Sequence, residues 1–412
     1  MSPLPSPASR PFFGWHVVAA TFLLAIFGWG VGFYGPPVFL YAVVERTGWP
    51  VALVSAAVTV HFLAGAVVVA NLPRLYRRLG VPQVTVLGAV LLALGVMGWA
   101  LAAAPWQLFS AALASGAGWV GMGAAAVNAL VAPWFSLRRP AALGMAYNGA
   151  SLGGVLFSPL WIALIAGIGF AAAALAVGGV MVAVVVLLAV MVFSRTPEGM
   201  GQHPDGAGAP SAPPAVRVPS GRLSLWRDRR FLTLAAGMML GLFAQIGLLA
   251  HLFSLLVPML GEGGAGLAMG GATLAAILGR SLVGWAMPST TDRRLVACMS
   301  YGVQALGSLM FLATAGQGGG WLILGLALFG LGIGNATSLP PLIAQQEFAP
   351  KDAARVVPLI VAIGQAGYAF APAAFGLLRS GAGSEAALFA CAAAVQLAAI
   401  GCFLAGRGGG RA

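Results

Sequence analysis

Long apolar runs broken by short clusters of Pro, Gly and Arg set the pattern of this chain. Such runs pass the ~18 residues that mark a membrane-crossing helix, whereas the apolar stretches of a water-soluble core are shorter. Reading each run between its breakers predicts spans at 15–41, 51–72, 82–104, 106–131, 140–167 and 170–193, then at 231–257, 265–287, 295–315, 321–345, 356–379 and 385–406. The expected fold class is all-α integral membrane, with twelve transmembrane helices in two pseudo-symmetric six-helix bundles. The expected organisation is a tail at 1–14, a first bundle at 15–193, a linker at 194–230, a second bundle at 231–406 and a tail at 407–412. Six prolines between Pro197 and Pro219, set among Gly, Ala and Ser, give the linker the composition of a flexible connection.

Composition agrees with this pattern: 60% of the residues are hydrophobic and 7% charged, so lipid covers most of the expected surface. The net charge of +12 raises the question of nucleic acid, but the cations form no patch or stripe and fall between apolar runs. Placing both termini in the cytoplasm puts every Lys and Arg on that side, except Arg46 and Arg379 outside and Arg280 within a span. Cationic loops remain cytoplasmic during insertion, so the charge is explained by topology. The expectation is a multi-pass protein of the inner (plasma) membrane, monomeric as a functional unit, in contact with lipid and not with nucleic acid. Cys298, Cys391 and Cys402 show neither metal nor redox spacing, and no Ser/His/Asp constellation or phosphate-cradling loop is present. No metal, cofactor, catalytic residue or enzyme activity is therefore expected.

One offset relates the two halves. Trp15 and Phe231, Arg77 and Arg293, Arg78 and Arg294, and Arg139 and Arg355 are each 216 residues apart. Two like bundles joined by a long linker suit a carrier that rocks about a midplane site by alternating access, a design that neither a channel nor a membrane enzyme requires.

The layout resembles the major facilitator superfamily over essentially the whole chain. Trp134-Phe135-Ser136-Leu137-Arg138-Arg139, Ala142-Leu143-Gly144 and Gly149-Ala150-Ser151-Leu152-Gly153-Gly154 resemble the loop 4–5 and helix 5 signature of monocarboxylate-porter-like bacterial members. Phe13-Gly14-Trp15 and Gly32-Phe33-Tyr34-Gly35-Pro36 are similar to their first span. The superfamily's loop motif resembles Gly279-Arg280, Gly284 and Asp292-Arg293-Arg294, while its counterpart in the first half is reduced to Asn71-Leu72-Pro73-Arg74 and Arg77-Arg78-Leu79-Gly80, without the usual Asp. The resemblance implies gating roles for Arg77, Arg78, Arg138, Arg139, Gly284, Asp292, Arg293 and Arg294. It also implies a carboxylate-binding arginine at Arg280, with Ala276 where proton-linked porters often carry an Asp.

Arg280 carries the chemistry on physical grounds as well. A guanidinium deep in hydrocarbon costs about 2.5–3.5 kcal/mol even on the lenient insertion scale, and every Asp and Glu falls in a loop, a terminus or a helix end. The missing anion is then the substrate, a small organic anion held by paired hydrogen bonds. Gln245, Asn335, Gln365 and Tyr368 fall at similar depth, with Tyr34, His251 and Asn148 as further substrate contacts, although helix–helix hydrogen bonding accounts for each equally well. His61 and His251 are the candidate proton carriers, since no carboxylate lies in a span, with a proton or a counter-anion as the co-transported species. A drug exporter of the same fold, or an oxalate/formate-type dicarboxylate exchanger, stands as the alternative.

Overall fold

The computed structural model describes residues 11–206, 225–287, 291–314, 319–381 and 385–407. The expected N-terminal tail before residue 11, most of the linker and the end of the C-terminal tail lie outside these residues. Helices dominate the rest, and twelve spanning elements are seen among the described residues. The first six are α1 (Gly14–Gly32, continuing as Gly35–Thr47), α2 (Val51–Leu79), α3 (Val81–Leu101), α4 (Pro105–Met122, continuing as Ala124–Val131), α5 (Arg139–Ile168) and α6 (Phe170–Leu188 with a π-helical end, Ala189–Phe193). One helical run, Arg229–Ala286, contains a reversal at Gly261, whose φ of 69° a side chain would oppose, and so forms α7 (229–260) and α8 (262–286). There follow α9 (Arg293–Thr314), α10 (Gly320–Ile333, continuing as Leu339–Glu347), α11 (Pro350–Ala369, continuing as Ala371–Gly381) and α12 (Ala386–Ala405). The fold is an all-α membrane protein of two six-helix bundles.

The linker and the starts of α1, α5, α7, α9 and α11 share one end of the molecule, the linker end; the opposite end is termed the far end. Exposed tryptophans mark both: Trp106 and Trp321 at the far end, Trp226 and Trp285 at the linker end. Between them lie exposed Leu94, Leu113, Leu175, Leu278 and Leu306, a belt that only lipid would cover.

Several boundaries differ from the sequence expectation, each for a local reason. The first span does not stop at residue 41 but continues to Thr47, with a break at Phe33-Tyr34. Pro36 has no N–H to offer the Gly32 carbonyl four residues earlier, so the helix must interrupt there. The second span runs past Pro73 to Leu79, so Arg74, Arg77 and Arg78 belong to the end of α2 rather than to a loop, where cations suit the helix dipole. The span at 321–345 is interrupted between Ile333 and Leu339, and Pro340 and Pro341 open its second piece instead of kinking its interior.

Part of the expected flexible linker is folded. The Asp205 carboxylate accepts hydrogen bonds from the backbone N–H groups of Ser136, Leu137 and Arg138, just before α5, at 2.7–3.1 Å. Gln202 accepts from Phe13 and donates to the Pro11 carbonyl, and Arg195 lies over the Phe13 ring. Residues up to Gly206 thus strap the linker end of the first bundle.

Glycines set the closest helix approaches. A Cβ on Gly149 or Gly153 would strike the Phe22 or Ile26 carbonyl of α1, and one on Gly279 or Gly334 would strike Leu331 of α10 or Ala276 of α8. Backbones therefore touch at α1–α5 and α8–α10, as small residues permit in membranes.

Candidate functional site

The seam between the bundles is formed largely by α5 against α8 and α2 against α11. On α5, residues 151, 154, 155, 158 and 162 recur at helical spacing on one face. Val155, Pro159 and Ile162 meet Gly266 and Gly270 of α8, and Gly154 abuts Thr273 and the Tyr34 ring. Arg280 lies further along α8, about 9 Å from its linker-end terminus at the usual helical rise. Gly334, at the break in α10, lies against its Cβ.

Arg280 is half-buried, and its Nη2 donates to Ser151 Oγ of the other bundle at 2.7 Å. Ser151 is its one hydrogen-bond partner among the described residues, and none of their carboxylates is within ion-pair range of it. Six of the nine acids are committed elsewhere, Asp205 among them. Asp228 and Asp292 accept from the first backbone N–H groups of α7 and α9, Asp292 also pairs with Arg407 at 2.7 Å, Glu385 pairs with Arg379 and Glu262 accepts from the Tyr41 hydroxyl. Glu347 holds Arg294 through two hydrogen bonds. The guanidinium thus keeps most of its donor fork unspent on its own chain.

The other expected residues divide. Tyr34 is largely buried at the α1 break, beside Thr273 and within electrostatic reach of Arg280. Asn335 is buried in the α10 break, adjoining Gly334. Tyr368 is buried on α11 and meets Phe62 of α2 edge-on at 5.7 Å, across the seam. Gln365 is half-buried and Asn148 exposed, without hydrogen bonds of their own side chains among the described residues. Gln245 instead joins a buried network inside the second bundle: it accepts from Gln304, which accepts from Gln396, which accepts from Ser308. That arrangement ties α7, α9 and α12 together and accounts for Gln245 as packing.

The two histidines differ in the same way. His61 Nε2 lies 2.9 Å from the Gly32 carbonyl left open by Pro36, and Nδ1 lies 2.8 Å from Ser115 Oγ, which also accepts from Trp99 Nε1. A carbonyl only accepts, so Nε2 donates, and Nδ1 meets a hydroxyl that also bonds the Ala112 carbonyl, so both ring nitrogens are engaged. His251 bonds the Pro372 carbonyl through Nε2 at 3.1 Å, but its buried Nδ1 has no partner.

Of the expected gating residues, Arg294 is 1% exposed and also donates to Thr233 and to the Arg230 and Phe403 carbonyls. Arg293 donates to the Leu342 carbonyl, fixing the second piece of α10. Arg77, Arg78, Arg138 and Arg139 are exposed, and Gly284 faces open space. The sequence reading missed Ser151 as a partner, Thr273, and the Asp205 strap. Ser151 stood in the quoted helix 5 motif, but nothing in a linear pattern aims it at residue 280.

Three hydrogen bonds join the bundles among the described residues: Tyr41 to Glu262 and the Ala373 N–H to Thr59 Oγ1 toward the far end, and Arg280 to Ser151. Gly376 sits directly on Ser55 in the same far-end region. A cavity of about 370 Å³ at the far end, bordered by Tyr41, Glu45, Phe253 and Glu262, does not reach Arg280.

The profile of the major facilitator superfamily matches residues 18–372. The chain belongs to the major facilitator superfamily. The fold of this superfamily member is similar to that of the nucleoside transporter NupG, with a TM-score of 0.72, 13% identity, and coverage of 96% of this chain and 98% of that one. It is also similar to a bacterial homologue of the human lysosomal transporter Spinster in an inward-facing, unoccupied conformation, at TM-score 0.64 and 15% identity, covering 98% and 100% of the two chains. No curated protein sequence matches significantly. This superfamily member is a multi-pass membrane transporter and not an enzyme.

Proposed function

We propose that this chain carries a small organic monocarboxylate across the inner membrane by alternating access, with the carboxylate bound at Arg280. One observation carries the reading: an interior guanidinium whose single hydrogen-bond partner among the described residues is the neutral hydroxyl of Ser151, contributed by the opposite bundle. A carboxylate offers two acceptors matched to the arginine fork, and Tyr34, Thr273 and Asn335 stand beside it as neutral donors and acceptors. A single interior cation favours one carboxylate over two. Export of cationic drugs calls for a buried acid to attract the charge, and no Asp or Glu is fully buried among the described residues.

The excess of Arg at the linker end makes that end, with both termini, cytoplasmic. The far-end contacts then describe a molecule closed to the outside, with the Arg280 to Ser151 bond the hydrogen bond between bundles nearest the cytoplasm among the described residues. Anion entry against an inside-negative potential costs about 2.3 kcal/mol per charge per 100 mV, which a co-transported proton would offset. We assign that proton to His251, which has an unused buried nitrogen, rather than to His61. The working unit is the monomer, since the site lies within one chain.

The test is uptake of labelled short monocarboxylates into liposomes containing purified protein. Uptake by the wild type and its loss in Arg280→Lys and Arg280→Gln, at unchanged expression and folding, is the expected result. Undiminished uptake by either variant overturns the assignment.

A further inference from the structure

Opposite the guanidinium, the first bundle presents rings instead of charge. Phe33 and Tyr34 stand at the α1 break with centroids 5.1 Å apart and planes at 81°. From Phe33 the wall continues to Phe62 of α2 at 6.1 Å and to Trp119 of α4 at 6.0 Å. It lies on the seam, because Phe33 and Phe62 border a gap shared with Ile246, Leu249 and Ala250 of α7. The Tyr34 ring connects the wall to the cation, lying against Thr273 and within reach of Arg280.

Core packing accounts for part of this cluster. Phe62 and Tyr368 are buried, as packed aromatics should be. Packing does not fully cover Phe33, Tyr34 and Trp119, which remain partly exposed in mid-span, Phe33 beside the gap shared with α7 and Tyr34 beside Thr273 of α8. Nor does it use the Trp119 indole N–H, which is buried without an acceptor. Interior aromatic surface left open beside an unspent cation is a two-part recognition surface: one pole for charge, one for a flat apolar body.

We infer, building on the assignment of Arg280 as carboxylate binder, that the substrate is an aryl monocarboxylate, its carboxylate on Arg280 and its ring against Phe33, Tyr34 and Trp119. A two-carbon acid would satisfy the arginine and leave the rings unfilled. A dicarboxylate would press its second charge against a wall that offers no cation among the described residues. Because the two poles belong to different bundles, an aryl acid is the class of ligand that touches both at once.

The experiment measures equilibrium binding of phenylacetate, cyclohexylacetate, acetate and the neutral phenylacetamide to the full chain in lipid nanodiscs. The wild type, Trp119→Leu, Phe33→Leu and Arg280→Gln are compared. The wild-type series needs no variant to fold. Phenylacetate should bind wild type about tenfold more tightly than cyclohexylacetate, the equivalent of ~1.4 kcal/mol, near the upper end for an aromatic pair. Trp119→Leu or Phe33→Leu should shrink that preference, and Arg280→Gln should abolish binding of all three acids. Equal binding of phenylacetate and cyclohexylacetate, or of phenylacetate and acetate, with binding still lost in Arg280→Gln, overturns the aryl assignment and leaves the anion site standing. Phenylacetamide binding as tightly as phenylacetate overturns the anion site and the aryl assignment together.

Discussion

An interior arginine bonded, among the described residues, only to a serine is a liability to stability, and that makes its role measurable. Removing a charge that costs about 2.5–3.5 kcal/mol to hold in hydrocarbon should relieve the fold. Arg280→Met is expected to raise the melting temperature of the purified protein by a few degrees while eliminating carboxylate binding. A fall in melting temperature would show that the arginine is structural. Arg294 makes the opposite case: it is fully buried at the linker end of α9 and held by Glu347 through two hydrogen bonds. Breaking a buried pair typically costs about 3–5 kcal/mol, so Glu347→Ala should lower thermal stability sharply without altering which acids bind. The exceptional status of Arg280 was legible in sequence, because a lone cation in an apolar run is conspicuous. Its partner was not, because Ser151 is 129 residues away and serine is an ordinary residue in a spanning helix.

Helices end and break where local chemistry directs, and the consequences are read at the element scale. Pro36 opens α1, His61 repairs the exposed Gly32 carbonyl, and the break places Phe33 and Tyr34 on the seam. The prolines are visible in sequence; the histidine reads there as a candidate proton carrier or a packing residue alike, because an isolated His looks the same either way. The linker strap gives a pH prediction. Partial burial raises the pKa of Asp205, but the N–H groups of Leu137, Arg138 and Ser136, with the Arg138 charge, outweigh it and hold the carboxyl below the usual aspartate range. A depressed folded pKa means that the strap's contribution is present above the ordinary aspartate pKa of about 3.9 and is lost as pH falls through the lower folded value. Protease cleavage in residues 195–206 should therefore be slow at neutral pH and accelerate in strong acid, and Asp205→Ala should show fast cleavage already at neutral pH. Equal cleavage rates in both proteins would remove the strap.

At the scale of the whole molecule, the structure is fastened at the far end by Tyr41–Glu262, Thr59–Ala373 and the seat of Gly376 on Ser55. A side chain at Gly376 has no room there. Gly376→Val is expected to shift the population toward the far-side-open form, read as faster labelling of a cysteine substituted at Val58 by a membrane-impermeant reagent added from that side. An unchanged labelling rate would show that this contact does not control closure.

Membrane class, number of spans, paired bundles and a cation lacking an acid in its own span are all legible in the linear chain. These depend on apolar length and on the cost of charge in lipid, both local properties that composition along the chain carries. The tertiary structure alone sets Ser151 against Arg280 with Tyr34 and Thr273 close by, engages Gln245 and His61 in buried hydrogen bonds, and fastens the two bundles at the far end. Those outcomes depend on which helix faces meet across the seam, and helix rotation and pairing arise from backbone approach at glycines and from the completion of hydrogen bonds among residues distant in the chain.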